Sequence, residues 1–290
     1  MDDFCALVPF AELPRVECPA LMGALCALEP GEPAGVHQRP DGTLDIWAGH
    51  ARGRISFHAG VMPEQSEIAS IGMADLPEVE ANRLRRHSAY ALLECHPDAG
   101  TAMDRMILMI KTGMVLCDNG GWALCVPAGG ICVRAAELEE FAALNREGPR
   151  VWGLDEAEGQ LPGYVPRHLW ESLRKEAQPS SLLVGFVPAQ VENTTWFFSA
   201  GHSLFGLPEI VYSDGTLEDF ESIRALFRFL MPYFYLNPGS VRPGKIIRTA
   251  GNELAISLHQ LPERYNELQA STGTLRLRLM ETTEIDSEWE

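Results

Sequence analysis

Apolar and polar positions change period several times along the chain, and each change marks an element. In CPALMGALCALEPGEP, Leu21, Leu25 and Leu28 recur at helical spacing, so residues Met1 to about Gly35 read as helical with proline interruptions. Glu29-Pro30-Gly31 stops that helix. DGTLDIWAG begins with a turn dipeptide and reads as a short strand, and RISFHAGVMP as a second strand ending at Pro63. From Pro63 to Arg86 the chain is polar and acidic, which predicts a loop and one short helix. HSAYALLEC is an almost continuous apolar run of strand length, as a central strand requires. Thr101 and Asp104 then form a T-x-x-D capping signal. Met103, Met106, Ile107, Ile110 and Met114 make one helical stripe behind it. WALCV follows a DNGG turn and reads as a strand, and AAELEEFAALNREG as a helix with a glycine stop.

The second half begins with a helix inside GYVPRHLWESLRKEAQPSS, followed by three strands, LLVGFVPA, NTTWFFSAG and LPEIVYSDG. Thr216 and Asp219 repeat the T-x-x-D signal, and Phe220, Ile223, Phe227 and Leu230 form a helical stripe that Pro232 kinks or ends. ELAISLH and TLRLRLM are late strands; the second alternates Leu275, Leu277 and Leu279 with Arg276 and Arg278, so one of its faces is wet. A strand, a turn and an amphipathic helix therefore occur twice, around PDAGTAMD and SDGTLED. The echo reads equally as a duplicated unit, giving two similar halves, or as ordinary turn and cap chemistry used twice. Without a regular βαβ rhythm, the pattern predicts an α+β fold: a mixed, largely antiparallel sheet with helices on one face. Its core sheet is expected to include Ala89 to Glu94, Trp122 to Val126, Leu182 to Val187 and Glu209 to Tyr212. The expected division is an N-terminal extension over 1–60, an α+β domain over 61–280 and an acidic tail over 281–290.

The 290 residues carry a net charge of -17, which disfavours nucleic acid and suits a protein that docks on a basic partner or simply stays solvated. The seven cysteines include no C-x-x-C pair, and several sit in apolar runs, which suits free thiols in a reducing compartment. The acidic N-terminus has no signal-peptide pattern, and the longest apolar run, MILMIKTGMVLC, is interrupted by Lys111. A cytoplasmic protein with no membrane partner is expected.

AGHSLFG, at Ala200 to Gly206, contains the Gly-x-Ser opening of a nucleophile elbow, but Phe205 stands where the second glycine belongs and a β-rich run follows in place of a helix. Asp214 or Asp219 with His259 or His202 would be needed to complete a triad around Ser203. No metal site is expected: Cys95 and His96 are adjacent on a strand and point to opposite faces. His87 is expected to end a helix as a cation. NPGSVRPGKIIRTAG is the most basic stretch and departs from a phosphate loop because Ile246 follows Lys245. Arg242, Lys245 and Arg248 mark it as a candidate partner-binding loop.

RRHSAYALLEC, GGWALCVPAGG, TTWFFSAGHSLFGLPEIVY and YFYLNPGSVRPGKIIRTAG, in that order, resemble the bacterial family catalogued as domain of unknown function 4261. The resemblance spans roughly Gly60 to Gly251, with Gly201, Phe205, Gly206, Pro208 and Glu209 as its signature. The basic RPGK stands where an acidic turn is expected in such a family. The resemblance implies no catalytic residues and no cofactor. It implies a non-catalytic binding protein: an immunity, accessory or adaptor protein of a bacterial toxin or secretion system, with a protein partner such as a basic toxin. The alternative is a serine hydrolase using Ser203.

Overall fold

The computed structural model describes residues 4–28, 33–63, 78–135, 138, 185–216, 237–248 and 254–281, with individual helical positions between 220 and 235. The chain is α+β and divides into two compact units, Met1–Gly148 and Pro149–Glu290.

The first unit is built on a seven-stranded sheet. Its strands are β1 (Cys5–Phe10), β2 (Ala34–Gln38), β3 (Leu44–Ala48), β4 (Ala51–Ala59), β5 (Ala89–Cys95), β6 (Ala123–Val126) and β7 (Ile131–Arg134). They lie in the order β2-β3-β4-β5-β1-β6-β7, every neighbouring pair antiparallel. Helices α1 (Cys18–Leu28), α2 (Glu78–Arg85) and α3 (Ala102–Asp118) belong to the same unit. The apolar residues of one sheet face, among them Val8, Ile46, Ile55, Leu93 and Leu124, are buried. Helix α3 packs on β1, β4, β5 and β6, and α1 packs on β2 and α3. Close seating of α3 depends on Gly113, where a Cβ would come within 2.8 Å of the Leu124 side chain. On the opposite face Met62 and the α2 residues Ala81 and Leu84 cover Leu7, Tyr90 and Cys125. The α3 start is a full capping box: the Asp104 N–H donates to the Thr101 hydroxyl, and the Thr101 N–H donates to the Asp104 carboxylate.

The second unit holds a six-stranded sheet in the order β11-β12-β13-β10-β9-β8. Its strands are β8 (Gly185–Val191), β9 (Thr194–Ala200), β10 (Glu209–Gly215), β11 (Ile246–Arg248), β12 (Leu254–Gln260) and β13 (Thr274–Glu281). β10 and β13 are parallel, and the other pairs are antiparallel. Helical residues Ile223, Leu226, Phe227, Leu230 and Phe234 pack against Phe197, Ile210, Leu258 and Leu277 of the sheet. The other face carries Trp196, Val211, Leu261 and Tyr265. In β13, Leu275 and Leu277 are buried while Arg278 is exposed, as the alternation requires.

Several expectations need correction. Residues 5–10 form a strand, not a helix; a short apolar run buried on both sides does not reveal its period. The boundary near residue 60 does not divide the structure, because β1 to β4 belong to the same sheet as β5, with β1 between β5 and β6. The expected single core sheet is two: β5 and β6 lie in one, β8 and β10 in the other. Strands β2 and β7 were not expected. His87, just past α2, is not an exposed helix-ending charge but a buried staple: its Nδ1–H donates to the Leu84 carbonyl at 2.6 Å and its Nε2 accepts from the Met62 N–H at 2.8 Å. In each unit the strand–turn–helix element leads to a strand running the same way, with β1 intervening in the first and β12 and β13 in the second. The halves thus share a unit but not a strand order. The expected helix over GYVPRHLWESLRKEAQPSS, the Asp219 cap, most of the helix after Arg134 and the tail beyond Glu281 lie outside the described residues.

Candidate functional site

The signature segment closes the connection from β9 to β10. Gly201 (φ 109°) and Gly206 (φ 70°) adopt the left-handed conformation at the two ends of a 3-10 turn, His202–Phe205, which is why glycine stands at both. Glu209, buried at the start of β10, reaches back into this turn. Its Oε1 accepts from the N–H groups of Gly201 and Ser203, each at 3.0 Å, and its Oε2 accepts from the Ser199 hydroxyl at 2.6 Å. Ser199 in turn accepts from the Ile210 N–H at 2.8 Å. A carboxylate is an acceptor-only group, and here three donors answer it. The same connection is tied to the β13 side by the Glu209 N–H on the Gly273 carbonyl and the Thr272 hydroxyl on the Leu207 carbonyl.

His202 is fully buried inside this lock. Its Nδ1–H donates to the Pro208 carbonyl at 3.1 Å, and its ring stands edge-on to Phe234. Nε2 has no hydrogen-bond partner among the described residues. Burial pulls its pKa below the usual histidine value, against the smaller opposing influences of the Glu209 charge and the Pro208 carbonyl. Ser203 gives its N–H to Glu209, and the chain after the turn enters β10, a strand, so no helix N-terminus faces the serine from that side. His259, on β12, is bonded through Nε2 to the Ser257 hydroxyl at 2.9 Å. The Asp214 side chain and Asp219 lie outside the described residues.

The basic stretch is only partly a loop. A 3-10 turn, Pro238–Ser240, leads to a turn stabilised by the Lys245 N–H on the Arg242 carbonyl, and Arg248 ends strand β11, paired with Ala255. Arg242 is exposed and Lys245 half-buried. The Arg248 side chain lies outside the described residues.

A recessed surface of mixed polar and apolar lining that sequence reading missed lies on the first sheet. The register sets His37 opposite Asp45, Gly35 opposite Trp47, Trp47 opposite Arg52 and Asp45 opposite Arg54, so these side chains share a sheet face. His96, directly after β5, joins His37, Asp45, Trp47 and Arg52, and these line a concavity of about 490 Å³ together with Arg39. Asp45 is the hub: Arg39 Nε lies 2.6 Å and Arg54 Nε 3.3 Å from its two oxygens. The Arg39 hydrogen bond above all, then Arg54, holds the Asp45 carboxyl below the usual carboxylate range. Arg52 is exposed and has no ion-pair partner among the described residues. Trp47 lies flat over the backbone of Gly35, where a Cβ would fall 2.0 Å from the ring, and it keeps 36% of its surface exposed. The signal was present as a period-2 alternation of polar groups through VHQR, LDIW and ARGR, but it becomes a surface only once three strands are in register.

No family model, curated protein or solved structure matches this chain. Among the described residues, no three His, Cys, Asp or Glu side chains are grouped to hold a metal ion, and no helix is long and apolar enough to cross a membrane.

Proposed function

We propose that the protein is a non-catalytic binding protein, of the accessory or immunity type found with bacterial toxins and secretion systems, and that it engages a protein partner through the recess on its first sheet. The observation that carries this reading is the recess itself. An exposed tryptophan ring, an arginine with no ion-pair partner among the described residues and the His37 imidazole stand on laddered strands, with His96 just past β5, the chemistry of an aromatic anchor with adjacent polar contacts. The polar groups of the signature, by contrast, are used internally: Glu209 binds three donors and His202 bonds the Pro208 carbonyl. The resemblance to domain of unknown function 4261 points the same way, since it carries over no catalytic residue. The charge of -17 steers a basic partner from a distance, and Arg52 takes an acceptor group of that partner at contact.

Affinity capture from the native cell with the wild-type chain, Arg52→Glu, Trp47→Ala and Ser203→Ala tests this. A stoichiometric partner held by wild type and Ser203→Ala, but lost with Arg52→Glu and Trp47→Ala, is expected. No partner at low salt overturns the reading. Ester hydrolysis that disappears in Ser203→Ala would establish the hydrolase instead.

A further inference from the structure

The hairpin of β6 and β7 sets Cys125 directly opposite Cys132. Their Sγ atoms are 2.8 Å apart, roughly 0.8 Å beyond a covalent S–S bond of about 2.05 Å. The register is held by a 3-10 turn, Pro127–Gly129, and by Gly130 in the left-handed conformation (φ 57°), so the two thiols meet without any rearrangement of the backbone. Cys125 is fully buried against Leu7 and Ala123, whereas Cys132, packed against the same cluster, is only half-buried. The contact with Cys132, and then burial, push the Cys125 thiol well above its usual pKa, so Cys125 stays protonated until a partner sulfur is activated.

We propose that Cys125 and Cys132 form a dithiol centre that a peroxide converts to an intramolecular disulfide and a thiol reductant restores. The Cys132 thiolate attacks hydrogen peroxide, breaking the O–O bond and releasing hydroxide, to give a sulfenic acid on Cys132. The Cys125 sulfur then attacks Cys132 Sγ, the S–O bond breaks, and the hydroxyl leaves with the Cys125 proton as water. Two thiols lose two electrons, and one peroxide becomes two waters. Cys125 is thus the resolving thiol, and the half-buried Cys132 sulfur is the one that an outside thiol attacks when the product is reduced. The disulfide staples edge strand β7 to β6 within the sheet.

The full-length chain, treated with one equivalent of hydrogen peroxide and then alkylated and digested, decides the matter. Trypsin releases residues 112–134, which contain Cys117, Cys125 and Cys132; further cleavage after Trp122 separates Cys117 from the pair. The expected result is a 123–134 peptide lighter by about 2 Da and free of alkyl groups, with Cys117 alkylated and the link reversed by dithiothreitol. Cys132→Ser should leave Cys125 alkylatable, and Cys125→Ala should trap Cys132 as sulfenic acid. The wild-type map stands alone if either variant fails to fold. Alkylation of both Cys125 and Cys132 after peroxide, a Cys132 that stops at the sulfinic acid, or a link from either residue to Cys117 overturns the proposal.

Discussion

Glu209 and His202 concentrate the residue-scale chemistry of the second unit. Truncating Glu209 to Ala strands the Gly201 and Ser203 N–H groups and the Ser199 hydroxyl, so the second unit should lose about 3 kcal/mol in urea unfolding. A loss no larger than that of an exposed Glu→Ala control would show that water replaces the carboxylate. His202 gives a pH dependence with a definite sign. Its folded-state pKa is depressed, so below the unfolded value of about 6.5 the unfolded chain binds a proton there that the folded chain refuses. The contribution of His202 is complete above that pH and is lost as pH falls toward the folded pKa. The urea midpoint of the second unit should drop between about pH 7.5 and 5.5, and the drop should shrink in His202→Gln. An equal drop in both proteins would place the titration elsewhere.

Among the elements, α3 and the β2–β3 pair are the most open to test. Thr101→Ala removes the hydroxyl that caps the Asp104 N–H and should cost about 1 kcal/mol, read as a shift in the thermal midpoint of the first unit. Gly35 is the tighter constraint, because a Cβ there would lie 2.0 Å from the Trp47 ring. Gly35→Ala should cost roughly 1–3 kcal/mol, and most of that loss should vanish in a Trp47→Ala background. Additive losses would mean that the ring is not what excludes the Cβ. The same substitution swings Trp47 away from Arg52 and should weaken partner capture, which ties the packing of two strands to the recess.

On the scale of the whole molecule, the two sheets each have their own buried cluster, and the chain divides between Gly148 and Pro149. Residues 1–148 and 149–290, expressed separately, should each unfold cooperatively in circular dichroism; a fragment without a transition would show that it needs the other. Most of the strands were legible one by one, because period 2, apolar runs and turn dipeptides are local, and the α3 cap was legible in T-x-x-D. The class, α+β, follows from their mixture. What the sequence could not announce was partnership. β1 lies between β5 and β6, strands that begin more than eighty residues further along the chain, and that choice is made by burial of both its faces, which no local pattern encodes. The glycines and Glu209 of the signature were visible as letters, but the three hydrogen bonds that explain them exist only once β9 and β10 are paired. The recess and the Cys125–Cys132 contact likewise depend on register: side-chain direction alternates along a strand, and only pairing brings those directions together on one face. The sequence by itself determined most of the elements, the charge and the cap; tertiary structure decided which elements share a sheet, and therefore which side chains meet, because strand pairing is a long-range choice set by burial.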